Sequence, residues 1–206
     1  MKKVSLLLLL TILGFLAQAQ PAIAEQLRNR YAVKNGIDAM VSIRIDIPGI
    51  TAPTKTVEVY LENGKPPKIK GAGLIILPRK EMINHFSELL STGVQWIQLG
   101  TQGDIRIFKV VSLDPYSDWI TADLKVNIKE IRIDEIDLVT RESGTYLMRH
   151  TYGNGNFPDH SEITFSTDKF SIPLKFLGKS DHSKIRESGG KVKGKITLDF
   201  IRFRVF

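Results

Sequence analysis

Residues 105–140, IRIFKVVSLDPYSDWITADLKVNIKEIRIDEIDLVT, hold three successive segments rich in β-branched and aromatic residues. Such residues favour extended backbone, and short links containing Asp114-Pro115 and Asn127 separate the segments. A parallel crossover between strands needs a dozen residues or more, and these links are far shorter. We therefore predict three antiparallel strands, at residues 105–113, 119–126 and 131–140.

The third of these segments changes phase partway along. Ile131 and Ile133 alternate with polar residues in one register, whereas Ile136 and Leu138 follow the other. One extra residue in a strand produces such a shift, because the side-chain period of a strand is two. We predict a β-bulge near residues 134–135.

Strand patterns continue on both sides of this stretch. The clearest is at residues 41–47, where Val41, Ile43, Ile45 and Ile47 alternate with Ser, Arg and Asp. Further strands are predicted at residues 56–61, 68–77, 94–99, 145–152, 162–166 and 195–206. About ten antiparallel strands in one meander cannot stay flat, because strand twist curls so large a sheet. The predicted fold class is mainly β (α+β), with a single curled antiparallel sheet that forms an open half-barrel.

Two short segments have helical periodicity instead. Residues 21–35 place Ile23, Leu27 and Tyr31 four residues apart, and Gly36 is predicted to end this helix. The second helix is predicted at residues 81–90, with an apolar stripe formed by Met82, Phe86, Leu89 and Leu90. We expect both helices to form a lid over the concave face of the sheet.

Residues 1–19 have the composition of a secretory signal peptide. Lys2 and Lys3 precede an apolar run at residues 4–16, and Ala17-Gln18-Ala19 forms a small-x-small cleavage site. The apolar run is too short to span a bilayer. We therefore predict a cleaved signal peptide at 1–19 and one half-barrel domain at 20–206, exported to the periplasm. Because the sequence has no cysteine, we expect no lipid anchor.

The charge and the cysteine content narrow the classes of partner. The net charge is +7 overall and about +5 without Lys2 and Lys3. An exported protein rarely meets nucleic acid, so we expect an anionic membrane surface or an acidic partner as the counter-charge. The basic segment 175–195 would either contact such a surface or act as a solubilising loop. A sequence without cysteine excludes disulfides and thiolate chemistry.

No motif in the sequence predicts catalysis, and we expect no enzyme activity, metal or cofactor. The four histidines lack the spacing of metal ligands. Asp134, Glu135 and Asp137 are candidates for paired acid–base carboxylates. Their neighbours Lys129 and Arg132 favour instead a solvated strand face with cross-strand ion pairs.

A curled sheet covered by helices has two interpretations. Its concave side chains either enclose an apolar space, of the kind that takes acyl chains, or fill that space as an ordinary core. The alternation of residues fits both interpretations.

Several short stretches make the chain resemble a known family. They are Ile47-Pro48-Gly49-Ile50, Gly73-Leu74-Ile75-Ile76-Leu77-Pro78, Thr151-Tyr152-Gly153, Phe157-Pro158-Asp159 and Lys193-Gly194-Lys195-Ile196-Thr197-Leu198. Together with the order of the elements, they make the chain similar to the periplasmic outer-membrane lipoprotein-sorting (LolA-like) proteins. More narrowly, the chain is similar to a LolA-related branch common in Bacteroidetes, and the resemblance covers nearly the whole mature chain.

The resemblance implies a periplasmic carrier. A half-barrel with a helical lid would bind the acyl chains of lipoproteins and shuttle them toward the outer membrane, with a membrane protein as donor or receptor. The alternative hypothesis is a periplasmic interaction module that senses lipid or envelope state without carriage. The ligand-binding residues of the hollow and the lid would be Ile43, Ile45, Val57, Val59, Ile75, Met82, Phe86, Leu89, Trp96, Leu124, Ile163 and Leu198.

Overall fold

The computed structural model describes residues 21–48, 50–62, 68–71, 88–167 and 192–206. Within these ranges it contains the helix α1 and the strands β1 to β11. Their bounds are α1 Ala22–Arg30, β1 Gly36–Ile47, β2 Ile50–Thr51, β3 Lys55–Glu62, β4 Lys68–Lys70, β5 Val94–Gln102, β6 Ile105–Ser112, β7 Trp119–Asn127, β8 Arg132–Thr140, β9 Thr145–Thr151, β10 His160–Thr167 and β11 Val192–Val205.

The predicted strands are confirmed where they can be compared. Strand β1 begins at Gly36, five residues before the predicted start, and the other ends differ by at most three residues. The strand predicted at 68–77 is confirmed over Lys68–Lys70, and most of its remainder lies outside the described residues. Of the second helix, predicted at 81–90, residues 88–89 are described as helical and residues 81–87 fall outside the description. The two-residue strand β2, which pairs with β1, was not predicted.

All the strands belong to one antiparallel sheet with the order β4-β3-β1-β11-β10-β9-β8-β7-β6-β5, and β2 pairs with β1 outside this path. Strands β4 and β5 form its two edges, so the sheet is not closed and the predicted open half-barrel is confirmed. The order is not that of a simple meander. The last strand, β11, lies between β1 and β10, and β4 and β5, which are consecutive in the chain, lie at opposite edges.

The predicted bulge in β8 is confirmed. Lys125 of β7 pairs with Glu135, but the next residue of β7, Val126, pairs with Ile133, so β8 has one residue more than its partner. The extra residue brings two isoleucines of opposite parity to the same side. Ile133 and Ile136 are therefore both buried.

The prediction that Gly36 ends the N-terminal helix is wrong. Helix α1 ends at Arg30, and Gly36 is the first residue of β1. A Cβ atom at Gly36 would clash with the carbonyl oxygen of Leu61 on β3 and would lie 2.6 Å from the ring of Phe206. The glycine therefore serves the close approach of neighbouring chain segments and not a helix end.

The hydrophobic core lies between the concave face of the sheet and helix α1. The helix contributes Ile23, Ala24 and Leu27 to the core cluster. No helix in the described part of the chain is long and apolar enough to cross a membrane. On β1 the buried residues alternate along one face: Ala39, Val41, Ile43, Ile45 and Ile47.

We predict that Gly36→Ala lowers the free energy of unfolding by about 1–3 kcal/mol, because the added methyl group must displace backbone. Gly100→Ala is the matched control, since Gly100 is also in a strand and a Cβ atom there would meet no atom within 4 Å. Urea denaturation of both variants measures the difference. Equal stabilities would contradict the packing role of Gly36.

Candidate functional site

The concave face of the sheet is continuously apolar along its middle. One row of directly paired residues crosses the strands from β1 through β11, β10, β9, β8 and β7 to β6. Each of its residues is at most 7% exposed. We call this set the apolar row; it consists of Ile45, Ile196, Ile163, Met148, Ile136, Leu124 and Phe108.

The predicted ligand-binding residues that the structure describes lie on this face or are buried against it. Leu198 is half-buried and pairs with Ile43 of β1. Leu89, which precedes β5 in the sequence, is buried in the core cluster. Predicted residues outside the described ranges are Ile75, Met82 and Phe86. The buried strand residues are Ile43, Ile45, Val57, Val59, Trp96, Leu124 and Ile163. Contact of any of them with a ligand stays a prediction.

Two helical pieces cover the concave face. One is helix α1, through its buried side chains, and the other is the short segment 88–90, in which Leu89 and Leu90 are buried. The Nη1 group of Arg28 on α1 donates a hydrogen bond to the carbonyl oxygen of Leu90 at 3.0 Å. This bond joins the two pieces into one roof.

A closed cycle of hydrogen bonds attaches the end of α1 to the bulged strand β8. The Ile133 N–H group donates to the hydroxyl oxygen of Tyr31 at 3.0 Å, and the Tyr152 hydroxyl donates to the Ile133 carbonyl oxygen at 2.7 Å. The two hydroxyl oxygens are 2.8 Å apart. Because the Tyr152 proton is already donated to Ile133, the Tyr31 hydroxyl donates to the Tyr152 oxygen and closes the cycle. Burial is the main cause that raises the pKa of both tyrosines, which keeps their hydroxyl groups protonated.

Arg30 adds further contacts at the same end of α1. Its Nη1 group donates to the carbonyl oxygen of Glu130 at 3.0 Å, and its Nε and Nη2 groups donate to the carbonyl oxygens of Asn156 and Gly155, each at 3.2 Å. Its guanidinium also lies 5.9 Å from the centroid of the Tyr152 ring. We call the Tyr31, Tyr152, Ile133 and Arg30 contacts the helix anchor.

The sequence analysis did not predict the helix anchor. Tyr31, predicted on the apolar stripe of the helix, is buried but directly follows the last residue of α1. A buried phenol needs a hydrogen-bond partner. That partner, Tyr152, lies 121 residues further along the chain. Nothing in the local pattern around either tyrosine indicates the other.

We predict that Tyr152→Phe lowers the free energy of unfolding by about 1–3 kcal/mol, because it leaves the buried Ile133 carbonyl and the Tyr31 hydroxyl short of a partner. Tyr116→Phe is the control for losing a phenol group, since Tyr116 is 94% exposed and should tolerate the change. Urea denaturation measures both variants. A double-mutant cycle with Tyr31→Phe should show coupling, and strict additivity would contradict a shared cycle.

A polar pair interrupts the apolar concave face. His150 on β9 lies opposite Ser161 on β10, and Ser161 lies opposite Leu198 on β11. The His150 Nδ1 and Ser161 Oγ atoms are 2.8 Å apart and share a hydrogen bond. Burial lowers the pKa of His150 to about 4, so its imidazole is neutral at ordinary pH.

His150 should make stability depend on pH. An unfolded histidine titrates near pH 6.5 and the folded one near 4, so between these values the unfolded chain binds more protons. The stabilisation is therefore complete above about pH 6.5, and up to about 3 kcal/mol is lost as the pH falls toward 4. His150→Asn keeps a hydrogen-bonding group near Ser161 but cannot titrate. Urea denaturation over this pH range should give a flatter profile for the variant, and parallel profiles would contradict the assignment.

The acidic residue Glu135 of β8 forms ion pairs with both neighbouring strands on the convex face. Glu135 accepts hydrogen bonds from Lys125 on β7, at 2.9 Å, and from Arg149 on β9, at 2.8 Å. Burial alone would raise the pKa of the Glu135 carboxyl, but these two hydrogen bonds outweigh burial and lower it. The interpretation as cross-strand ion pairs is confirmed for Glu135. In the described ranges, no three His, Cys, Asp or Glu side chains are grouped so as to hold a metal ion.

Comparison with known proteins identifies the fold but not a family. No model of a protein family matches the chain, and no curated protein sequence matches it. A crystal structure of a DUF1329 family protein from Desulfovibrio piger is similar, with a TM-score of 0.52, 8% identity, and coverage of 89% of this chain and 90% of that chain. At this identity the similarity concerns the fold alone, and it supports the half-barrel architecture.

Two further solved structures are similar at lower scores. One is a LolA superfamily protein from Nitrosomonas europaea, with a TM-score of 0.49, 9% identity, and coverage of 90% of this chain and 92% of that chain. The other is a domain from Vibrio parahaemolyticus assigned to outer membrane lipoprotein sorting, with a TM-score of 0.46, 10% identity, and coverage of 89% and 90%. The structural neighbours of this chain therefore include LolA-superfamily and lipoprotein-sorting domains.

Proposed function

We propose that this chain is a LolA-like periplasmic carrier that binds lipid acyl chains, specifically those of lipoproteins on the way to the outer membrane. The observation that carries the proposal is the apolar row, which runs across the concave face of an unclosed sheet beneath a helical roof. The proposal includes membership of the LolA-related branch that the sequence resembles. It also takes residues 1–19 to be a cleaved signal peptide that directs the protein to the periplasm.

The apolar row suits a cargo of hydrocarbon chains for energetic reasons. Transfer of each methylene group out of water is worth about 0.8 kcal/mol, so a long acyl chain dissolves in the periplasm only at great cost. A carrier must offer an apolar surface of comparable extent that is itself protected from water. The buried aliphatic residues of the concave face, covered by α1 and the segment 88–90, have this composition.

The carrier would exchange its cargo with a membrane-protein donor or receptor, and its net positive charge favours transient contact with anionic membrane surfaces. In this function the protein binds and releases without catalysis and needs no cofactor. The helix anchor keeps one end of the roof in place, so the roof would open at the other end of α1.

Lipid extraction from the purified mature protein tests the proposal. We expect mass spectrometry to recover lipid or lipopeptide in stoichiometric amounts from protein made in its native host. Recovery of none, together with no binding of a fluorescent fatty acid, would contradict carriage and favour a fully packed core.

We predict that Leu198→Asn weakens binding of a fluorescent fatty acid by about tenfold or more, because it places an amide on the half-buried concave face. Thr164→Asn is the matched control. Thr164 is exposed on the opposite face of the neighbouring strand β10, so the same amide there should leave the affinity unchanged. Fluorescence titration measures both, and an equal effect at the two positions would contradict binding at the concave face.

Crosslinking in cells separates carriage from the sensor alternative. A carrier should capture many lipidated proteins, whereas an interaction module should capture a single membrane protein. Capture of one membrane protein and of no lipidated protein would contradict the carrier hypothesis and support the sensor hypothesis.

A further inference from the structure

The two tryptophans of the chain, Trp96 and Trp119, occupy similar positions but differ in their hydrogen bonding. Both belong to the buried core, with exposures of 6% and 1%, and lie on strands near the same edge of the sheet. The indole N–H of Trp119 donates to Glu88 Oε2 at 3.1 Å. The indole N–H of Trp96 is also buried, but it finds no acceptor among the residues that the structure describes.

A buried indole N–H without an acceptor is unusual. The indole nitrogen is a donor only, and buried tryptophans generally satisfy it, since an unmade hydrogen bond in an apolar environment is costly. Because Phe would fill a similar apolar position without this cost, the N–H of Trp96 is a donor open to an acceptor beyond the described residues.

The described neighbours of Trp96 in the sheet supply no polar partner to its indole N–H. In register it lies opposite Val110 of β6, which lies opposite Ala122 of β7. Its ring meets the ring of Phe108 edge to face, with the centroids 5.3 Å apart. Trp96 therefore presents a single neutral donor within an apolar wall, next to the end of the apolar row.

The position of Trp96 in the sheet also matters. Its strand, β5, is one of the two edges at which the sheet stays open. A chain-like ligand that places its hydrocarbon part along the apolar row would have its polar end near one edge of the sheet. An ionised headgroup would need a cation, whereas a neutral carbonyl oxygen needs only one donor of the kind that Trp96 offers.

We propose that the Trp96 indole N–H donates a hydrogen bond to the carbonyl oxygen of an ester- or amide-linked acyl group. The site thereby prefers acyl chains that carry such a carbonyl over plain hydrocarbon. This inference rests on the proposed function, since it names the chemical class of ligand that the concave face takes.

Because the chain has only two tryptophans, their indole N–H groups give two signals in a proton–nitrogen NMR spectrum. Trp96→Phe and Trp119→Phe assign the two signals. The probes are methyl decanoate, which has an ester carbonyl, and dodecane, an alkane of equal chain length. We expect methyl decanoate to move the Trp96 signal downfield well beyond the effect of dodecane, with the Trp119 signal nearly unmoved.

The variants supply a second readout. Trp96→Phe keeps an aromatic ring but loses the N–H, so it should weaken binding of methyl decanoate by about three- to tenfold and leave dodecane binding nearly unchanged. Trp119→Phe loses the bond to Glu88 instead and should not change the preference between the two probes. The ratio of the two affinities isolates the hydrogen bond from any general loss of packing.

The possible failures are distinguishable. If both probes bind but move the Trp96 signal equally, or if Trp96→Phe weakens both to the same degree, the carbonyl contact is wrong and the carrier function stands. If neither probe nor a fluorescent fatty acid binds to the wild-type protein, both proposals are overturned.

Discussion

The pairing of β1 with β11 is the interaction on which the rest of the structure depends. Residues 37–46 of β1 pair antiparallel with residues 195–205 of β11, the last strand in the chain. This pairing joins β3 and β4 to the run of strands from β5 to β10. Without it the chain would form two smaller sheets, each with an uncovered apolar face and an additional open edge. It also brings α1, which precedes β1, over β8 and so places the roof.

The fold could be predicted from the sequence as far as local pattern determines it. Each strand buries one face, so alternation shows in residues 41–47, and the change of phase after Ile133 reveals the bulge in β8. The strand order could not be predicted, because the position of β11 depends on pairing between segments far apart in the chain. Gly36 was misassigned for a similar reason. Glycine suits both a helix end and a close strand contact, and only distant residues such as Phe206 decide between them.

In the candidate site, too, local sequence pattern predicts some features, and contacts between distant residues determine the others. Alternation assigns residues such as Ile43, Ile45 and Leu124 to the inner face, because a strand leaves no choice of side once one residue is placed. It cannot tell how the roof is fixed above them, since that depends on the meeting of Tyr31 with Tyr152. The alternation also does not distinguish Trp96 from Trp119. Their hydrogen bonding differs because the Glu88 carboxylate accepts a bond from the Trp119 indole, whereas no described residue accepts one from Trp96.

The placement of β4 and β5 at opposite edges has a mechanical consequence. Strand β4, described to Lys70, and strand β5, which begins at Val94, lie at opposite edges, so the chain between them joins the two edges covalently. The 23 residues between them could span about 75–85 Å if fully extended, which exceeds the width of about 45 Å that ten flat strands would have, so this tether would not stop the sheet from flattening. The two edges are thus joined without being held at a fixed distance, and the curvature of the sheet must come from strand twist and from the contacts that α1 makes with the concave face.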